Sequence, residues 1–400
     1  MSEWKKFTIS EFADVISGST PATDIPEYWN GDIEWVTPVD LSKLKSRFLK
    51  STIRKISKKG LESSSTALIP AFNIVMSSRA PIGYFAIPTN EYTTNQGCKS
   101  FRLNSQHNVE FHYYNFLFNI NYFKRYGIGS TFAEISKSDI EKLSFIIPTS
   151  LAEQQKIARI LSTVDAVIEK TEAAIAKYKA IKAGMMHDLF TNSEDAPIGW
   201  QKKQLKEIAQ IKGGKRLPAG QELLESITPF PYLRVTDMVN GSIDDSNLKY
   251  VSEEIQPYIK NYTISKDDLY VTIAGTIGSF GSIPDKLHNA QLTENAAKIT
   301  LLDFNENDKI FLKYYLSSNN IKAQINKEIG IGGGVPKLAL HRIENFIVFL
   351  PDLAEQQKIA KILSTVDKSI ENTQAEFNKY QKLKQGLMQD LLTGKVAVSV

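Results

Sequence analysis

Two long stretches of the chain place apolar residues at helical spacing on one side only. The first carries Ile157, Ile160, Leu161, Val164, Val167, Ile168, Ile175, Tyr178, Ile181, Met185 and Leu189. The second carries Ile359, Ile362, Leu363, Val366, Ile370, Phe377, Tyr380, Leu383, Leu387 and Leu391. On a heptad frame these residues fill two adjacent core columns and a flanking one, the stripe of a coiled coil or bundle. Each stretch follows a proline, Pro148 or Pro351, and opens with capping-box spacing, Ser150 to Glu153 and Asp352 to Glu355. Gly394 stands just past the second stripe, where helices commonly stop. The spacing predicts two helices of about 40 residues, each roughly 60 Å long. A one-sided stripe of that length needs a long partner, and each helix can serve the other, paired antiparallel. Two core helices inside ordinary domains are the alternative.

The helices are also near copies. LAEQQKIARILSTVD (151–165) and LAEQQKIAKILSTVD (353–367) differ only at Arg159 against Lys361. Their offset of 202 positions is far beyond the roughly 20–50 residues of a solenoid repeat. The remaining sequence repeats more loosely. WKKFTISEFADVISG from Trp4 answers WQKKQLKEIAQIKGG from Trp200, and WVTPVDL (35–41) answers LRVTDMV (233–239). NIVMSSRAPIGYFAI (73–87) answers DLYVTIAGTIGSFGSI (268–283), and GSTFAEISKSDI (129–140) answers GGGVPKLALHRI (332–343). Each half reads as short alternating strands between turn residues, an amphipathic helix (110–126 or 310–329), a last strand and the long helix. The expected fold is α/β: two α/β domains in tandem duplication, joined by two long helices forming an antiparallel coiled coil. The expected segments are a first domain at 1–150, its helix at 151–191, a linker and second domain at 192–352, and the second helix with a tail at 353–400.

Composition narrows the chemistry. Four hundred residues exceed one ordinary core, and 42% hydrophobic residues is the share of a folded chain. No apolar run approaches the roughly 18 residues of a membrane span, and the opening MSEWKK carries no secretory signal. Cys98 is the single cysteine; it excludes an internal disulfide and a multi-cysteine zinc site, and suits a reducing cytoplasm. His107, His112, His187, His288 and His341 lack metal spacing. The glycine run GIGGGVPK (330–337) lacks the Gly-Lys-Ser/Thr ending of a nucleotide-binding loop. There is no nucleophile elbow, dinucleotide fingerprint or adenine-methyltransferase signature. No chemistry of its own, no metal and no cofactor are expected of the chain.

The net charge of +4 is mild, but its distribution is not. Between 43 and 59 stand Lys43, Lys45, Arg47, Lys50, Arg54, Lys55, Lys58 and Lys59, with no acidic residue among them. Phe48, Ile53 and Ile56 interleave with these charges, which suits an ordered element rather than a tail. Cations aligned on a rigid element match a phosphate backbone; a solvated face is the plainer reading.

The duplicated LAEQQKIA helices with their shared ILSTVD ending, the GST-containing loop before the first of them, and the two unlike halves resemble the specificity (S) subunit of type I restriction-modification systems. The resemblance covers essentially the whole chain. It implies that each half is a target-recognition domain reading one half of a bipartite, asymmetric site in double-stranded DNA. It further implies that the helices form a spacer docking two methyltransferase (M) subunits, through which restriction (R) subunits join. S-adenosylmethionine would belong to M, and ATP and Mg to R. The chain would be cytoplasmic, without a membrane partner. Within this resemblance the DNA-binding candidates extend to Arg79, Ser130 and Thr131 in the first half. Lys212, Lys215, Arg216, Arg234 and Lys337 are those of the second. Glu153, Gln154 and Gln155 with Glu355, Gln356 and Gln357, expected to be exposed, are the partner-binding candidates. The competing reading is a non-catalytic coiled-coil adaptor with two protein-binding domains, which DNA binding would separate from the first.

Overall fold

The computed structural model describes residues 3–79, 81–127, 134–190, 198–329 and 336–398. It divides into two compact units, Met1–Ala174 with Thr373–Val400, and Ile175–Asn372. The long helices span Leu151–Leu189 and Leu353–Leu392, 39 and 40 residues, as the apolar spacing predicts. Both starts are capped where the sequence places the caps. Glu153 N donates to Ser150 Oγ at 3.3 Å, and Glu355 N donates to Asp352 Oδ1 at 2.8 Å, satisfying N–H groups that lack an intrahelical partner.

Unit 1 is built on a five-stranded sheet in the order Ala13–Ser17, Cys98–Leu103, Ile74–Ser77, Phe85–Pro88, Phe48–Leu49. All four residues of Ile74–Ser77 are buried, so this central strand is a continuous apolar run rather than an alternating one. A three-stranded sheet pairs Trp29–Val36 with Lys55–Ile56 on one side and in parallel with Tyr92–Thr94 on the other. Trp4–Thr8 pairs antiparallel with Ser144–Pro148, the strand that leads into the long helix. Phe12, Phe101, Phe111, Phe116 and Phe123 fill the core. Ile157, Ala158 and Leu161 from the start of the first long helix, and Met388, Leu391 and Leu392 from the end of the second, belong to the same core. Within this unit the two helices therefore run antiparallel.

Unit 2 repeats the plan. Ala209–Gly213, Ala296–Leu301, Leu269–Thr272 and Phe280–Ser282 form one sheet, in that order. Pro231–Leu233 pairs in parallel with Ala290–Leu292 in a second sheet, and Gln201–Gln204 pairs antiparallel with Ile347–Leu350. Phe190, the residue after the first long helix, shares its core with Ile359, Ala360 and Leu363 from the start of the second.

One expectation is corrected. The single amphipathic helices at 110–126 and 310–329 are each two, Val109–Phe118 then Ile120–Arg125, and Lys309–Leu316 then Asn319–Ile329. Asn119 Nδ2 donates to Asn115 O at 2.9 Å and Ser317 Oγ donates to Lys313 O at 2.8 Å. Such side-chain bonds compete with continuation of the helical ladder.

Candidate nucleic-acid interface

The basic run of unit 1 is ordered, but its cations are unequal. Lys43, Lys45 and Lys50 are exposed and form no ion pair among the described residues. Four others already have acids: Arg47 with Glu110 at 3.4 Å, Lys55 with Glu34 at 2.7 Å, Lys58 with Glu62 at 3.9 Å, and Lys59 with Glu27 at 2.6 Å. Arg54 lies 3.6 Å over the Trp29 ring, a cation–π stack. Burial pushes the Glu34 carboxyl up, but hydrogen bonds from Lys55 and Thr52 outweigh it and hold the group below its usual range. Asp40 fixes the run from beneath, accepting Ile53 N at 2.8 Å and Thr37 N at 2.9 Å. The eight residues thus divide into three cations without an ion pair among the described residues and five held by an acid or a ring, those of Lys58 and Lys59 being exposed pairs that solvent weakens. Arg47 is the most enclosed of the eight, its side chain only 14% exposed and 3.4 Å from Glu110.

Elsewhere in unit 1, Arg79 Nε donates to Glu134 Oε2 at 2.9 Å. Ser130 and Thr131 lie outside the described residues. In unit 2, Lys212 faces Lys298 across the strand pair, and Lys298 is neutralised by Asp268 at 3.8 Å. Lys215 lies 5.6 Å over the Tyr262 ring. Arg216 Nε donates to Glu294 Oε1 at 2.7 Å on the rim of a cleft of about 460 Å³. Lys337 is exposed. The Arg234 guanidinium donates to Asp237 at 2.7 Å and to Asn247 O at 2.8 Å, which pins a turn.

The expected exposure of the repeated Glu-Gln-Gln sites holds for only half of them. Gln155, Glu355 and Gln357 are exposed, whereas Glu153, Gln154 and Gln356 are buried. Gln154 accepts Asn108 N at 2.8 Å and donates to Pro148 O at 2.9 Å; Gln356 accepts Asp308 N at 2.9 Å and donates to Pro351 O at 2.9 Å. Trp4 Nε1 donates to Glu153 at 3.2 Å. A carboxamide supplies the acceptor and donor that these buried backbone groups require. The two glutamines join each globular domain to its helix.

A second joint escaped the sequence reading. In unit 1, Asp165 accepts the Tyr114 hydroxyl at 2.7 Å and pairs with Lys384 at 2.6 Å. In unit 2, Asp367 accepts the Tyr314 hydroxyl at 2.7 Å and pairs with Lys182 at 2.6 Å. Each triad ties the domain's helix to both long helices. Burial foremost, then the neighbouring aspartate, pushes both phenols up, so they stay protonated donors.

The first joint also contains a histidine pair. His112, buried and stacked on Phe12 at 4.3 Å, meets His107 at 3.0 Å. Burial, then His107, pushes the His112 imidazole well below its ordinary range. It stays neutral in the folded chain, while the unfolded chain binds a proton near pH 6.5. Stability present above that pH is therefore lost as pH falls, by up to about 2 kcal/mol on reaching pH 5. Leu312 occupies the equivalent place in unit 2: His112 N donates to Asn108 O, as Leu312 N does to Asp308 O. Thermal melts from pH 7 to 5 should show unit 1 losing stability on acidification, with His112→Leu flattening the dependence. Equal slopes in both proteins would mean that the pair does not govern it.

No helix among the described residues is long and apolar enough to cross a membrane, and no cluster of three or more His, Cys, Asp or Glu among them could hold a metal. A family model described as type I restriction modification DNA specificity domain matches residues 1–178 and again 197–382. The chain is 28% identical to the type I restriction enzyme MjaIX specificity subunit of Methanocaldococcus jannaschii, over 99% of this chain and 94% of that protein. It is 24% identical to the MjaVIII specificity subunit of the same organism, over 99% and 93%. Among solved structures, an S subunit of a type I restriction-modification system from M. genitalium is similar in fold, with a TM-score of 0.63 at 18% identity over 98% of this chain and 96% of that one. A structure described as concerning complex assembly and conformational transition of the type I R-M system gives 0.59 at 15% identity, over 97% of each chain.

Proposed function

The chain belongs to the type I restriction modification DNA specificity domain family, and from that premise we propose how it recognises DNA. Its role is sequence recognition as a specificity subunit, and the catalytic activities of such systems reside in other subunits. The site is bipartite: each unit reads one half-site through its own globular domain. M subunits dock on the long-helix side, where Gln155, Glu355 and Gln357 remain exposed, and R subunits join through M. S-adenosylmethionine belongs to M, ATP and Mg to R, and the complex works in the cytoplasm.

The observation that carries this reading is the duplication of the joints with unlike surfaces. Gln154 and Gln356, and the Tyr114–Asp165–Lys384 and Tyr314–Asp367–Lys182 triads, are built alike. The basic run of unit 1 has no such copy in unit 2. Two holders of one design carrying different faces suit two different half-sites.

Residues 1–150 can be exchanged for the first domain of another specificity subunit and the methylated sites of the M-bound complex mapped by sequencing. One half-site is expected to change while the other stays the same. A joint change in both half-sites would defeat the two-module reading. Absence of DNA binding by the intact complex would favour a protein-binding adaptor.

A further inference from the structure

Each unit carries the same backbone frame at one end of its sheets, and hydrogen bonds match the two frames residue by residue. Ser19 N donates to Thr94 O at 2.9 Å, as Lys215 N does to Leu292 O at 2.8 Å. Asn95 N donates to Val36 O at 3.0 Å, as Thr293 N does to Leu233 O at 3.1 Å. Ser78 N donates to Gly97 O at 2.8 Å, as Ile273 N does to Asn295 O at 2.8 Å. Ile135 N donates to Ser78 O at 3.0 Å, as Leu338 N does to Ile273 O at 2.8 Å. Gly18 and Gly214 enter the two frames at the same point. A Cβ on either would stand about 2.2 Å from a backbone oxygen of Thr94 or Thr293, so only glycine fits there.

These matches set four positions in register. Thr20 corresponds to Arg216, Gln96 to Glu294, Arg79 to Ala274, and Glu134 to Lys337. The first two positions are joined in both units, Thr20 Oγ1 donating to Gln96 Oε1 and Arg216 Nε to Glu294 Oε1. The last two form the same isolated bridge, Arg79 with Glu134 and Ala274 with Lys337. The chemistry at these corners is exchanged. Unit 1 has a neutral hydroxyl–amide pair at the first corner and an Arg–Glu ion pair at the second; unit 2 has the Arg–Glu pair at the first and, at the second, a lysine that forms no ion pair among the described residues. Beneath the unit 1 corner, buried Lys99 donates to Gln96 O at 3.2 Å.

Folding does not explain this exchange, because Gln96, Arg79, Arg216 and Lys337 are exposed. Phosphate positioning does not explain it either, since each unit places a carboxylate, Glu134 in one and Glu294 in the other, against its arginine, and a guanidinium already neutralised offers a phosphate less than a free cation does. The mixture fits base edges. A guanidinium pairs with guanine O6 and N7, a carboxamide with adenine N6 and N7, and a carboxylate accepts from cytosine N4. Phosphate-seeking cations stand close by in unit 1. Pro38, whose Cγ lies 3.1 Å from where a Gly97 Cβ would be, opens the helix Pro38–Ser42 that leads into Lys43 and Lys45.

We infer that these four positions are the specificity-determining set of each unit, where side chains read base edges of double-stranded DNA. The inference rests on the DNA-specificity reading above and adds to it the residues that carry the sequence. The test selects random duplexes with the full M-bound complex, using wild type, Arg79→Ala with Glu134→Lys, Thr20→Arg with Gln96→Glu, and Glu294→Gln in unit 2. Each unit 1 double variant should lose roughly 10- to 100-fold of preference at one or two positions of one half-site, with the other half-site intact. Glu294→Gln should do the reverse. Melting temperatures close to wild type show that the variants fold. Unchanged selection in folded variants would overturn the inference. So would an equal loss on all sequences with a shallower salt dependence, which marks phosphate contacts. A wild-type complex selecting no sequence would overturn the DNA-specificity reading itself, and this inference with it.

Discussion

Replacing Lys43, Lys45 and Lys50 together with glutamine is expected to weaken DNA binding by roughly 100-fold at 0.15 M salt, and to do so on every sequence. Each phosphate neutralised by a cation releases condensed counterion, about 0.9 unit of slope in log K against log salt. Three lost contacts should therefore flatten that slope by close to three units. These lysines are the ones to choose because they are exposed and form no ion pair among the described residues. Base preference should survive, since phosphate contacts position the protein and base contacts specify the site. The paired cations provide the control. Removing both members of the exposed Lys59–Glu27 pair as Lys59→Gln with Glu27→Gln leaves the net charge unchanged and should leave the slope as it was. Salt titrations of the M-bound complex decide the matter. A wild-type slope in the triple variant would place the phosphate contacts of unit 1 elsewhere.

Asp165→Asn should destabilise unit 1 more than Asp367→Asn destabilises unit 2, although the two triads have the same geometry. The side chains of Asp165 and Lys384 are 12% and 22% exposed, against 26% and 30% for Asp367 and Lys182. An ammonium that loses its partner in a drier place has less water to turn to. The expected cost is about 2–3 kcal/mol for Asp165→Asn and about 1 kcal/mol for Asp367→Asn. For a unit of this size that corresponds to a fall of roughly 5–10 °C against 2–4 °C in melting temperature. Amide exchange should locate the loss in Val109–Phe118 and the adjoining helix ends for the first variant, and in Lys309–Leu316 for the second. Equal losses, or none, would show that the triads do not hold the domains to the helices.

Both experiments turn on features that the sequence displayed without explaining. Asp165 and Asp367 recur inside identical STVD segments, and Lys182 and Lys384 recur at the same offset of 202. Polar residues repeated unchanged in an apolar stripe were the available signal for the triads. Their tyrosines stand 51 and 53 positions from those aspartates, beyond any helical spacing rule. Gln154 and Gln356 likewise read as surface residues, because a glutamine is usually exposed. Only the backbone groups packed around them reveal that they are needed inside.

The sequence by itself determined the duplication, the α/β character, the two long helices with their caps and the place of the basic run. Those properties are local: periodicity, capping and turn chemistry act within a few residues, and a repeat is visible without coordinates. The family followed from the same repeat. Tertiary structure alone decided which cations of the basic run are free, because Glu34, Glu27 and Glu110 reach it from other segments. It also decided that the helices 110–126 and 310–329 break, that three of six repeated polar residues turn inward, and that Thr20, Gln96, Arg79 and Glu134 share a rim. An ion pair or hydrogen bond between distant segments depends on where the chain brings them, and spacing along the sequence carries no record of that distance.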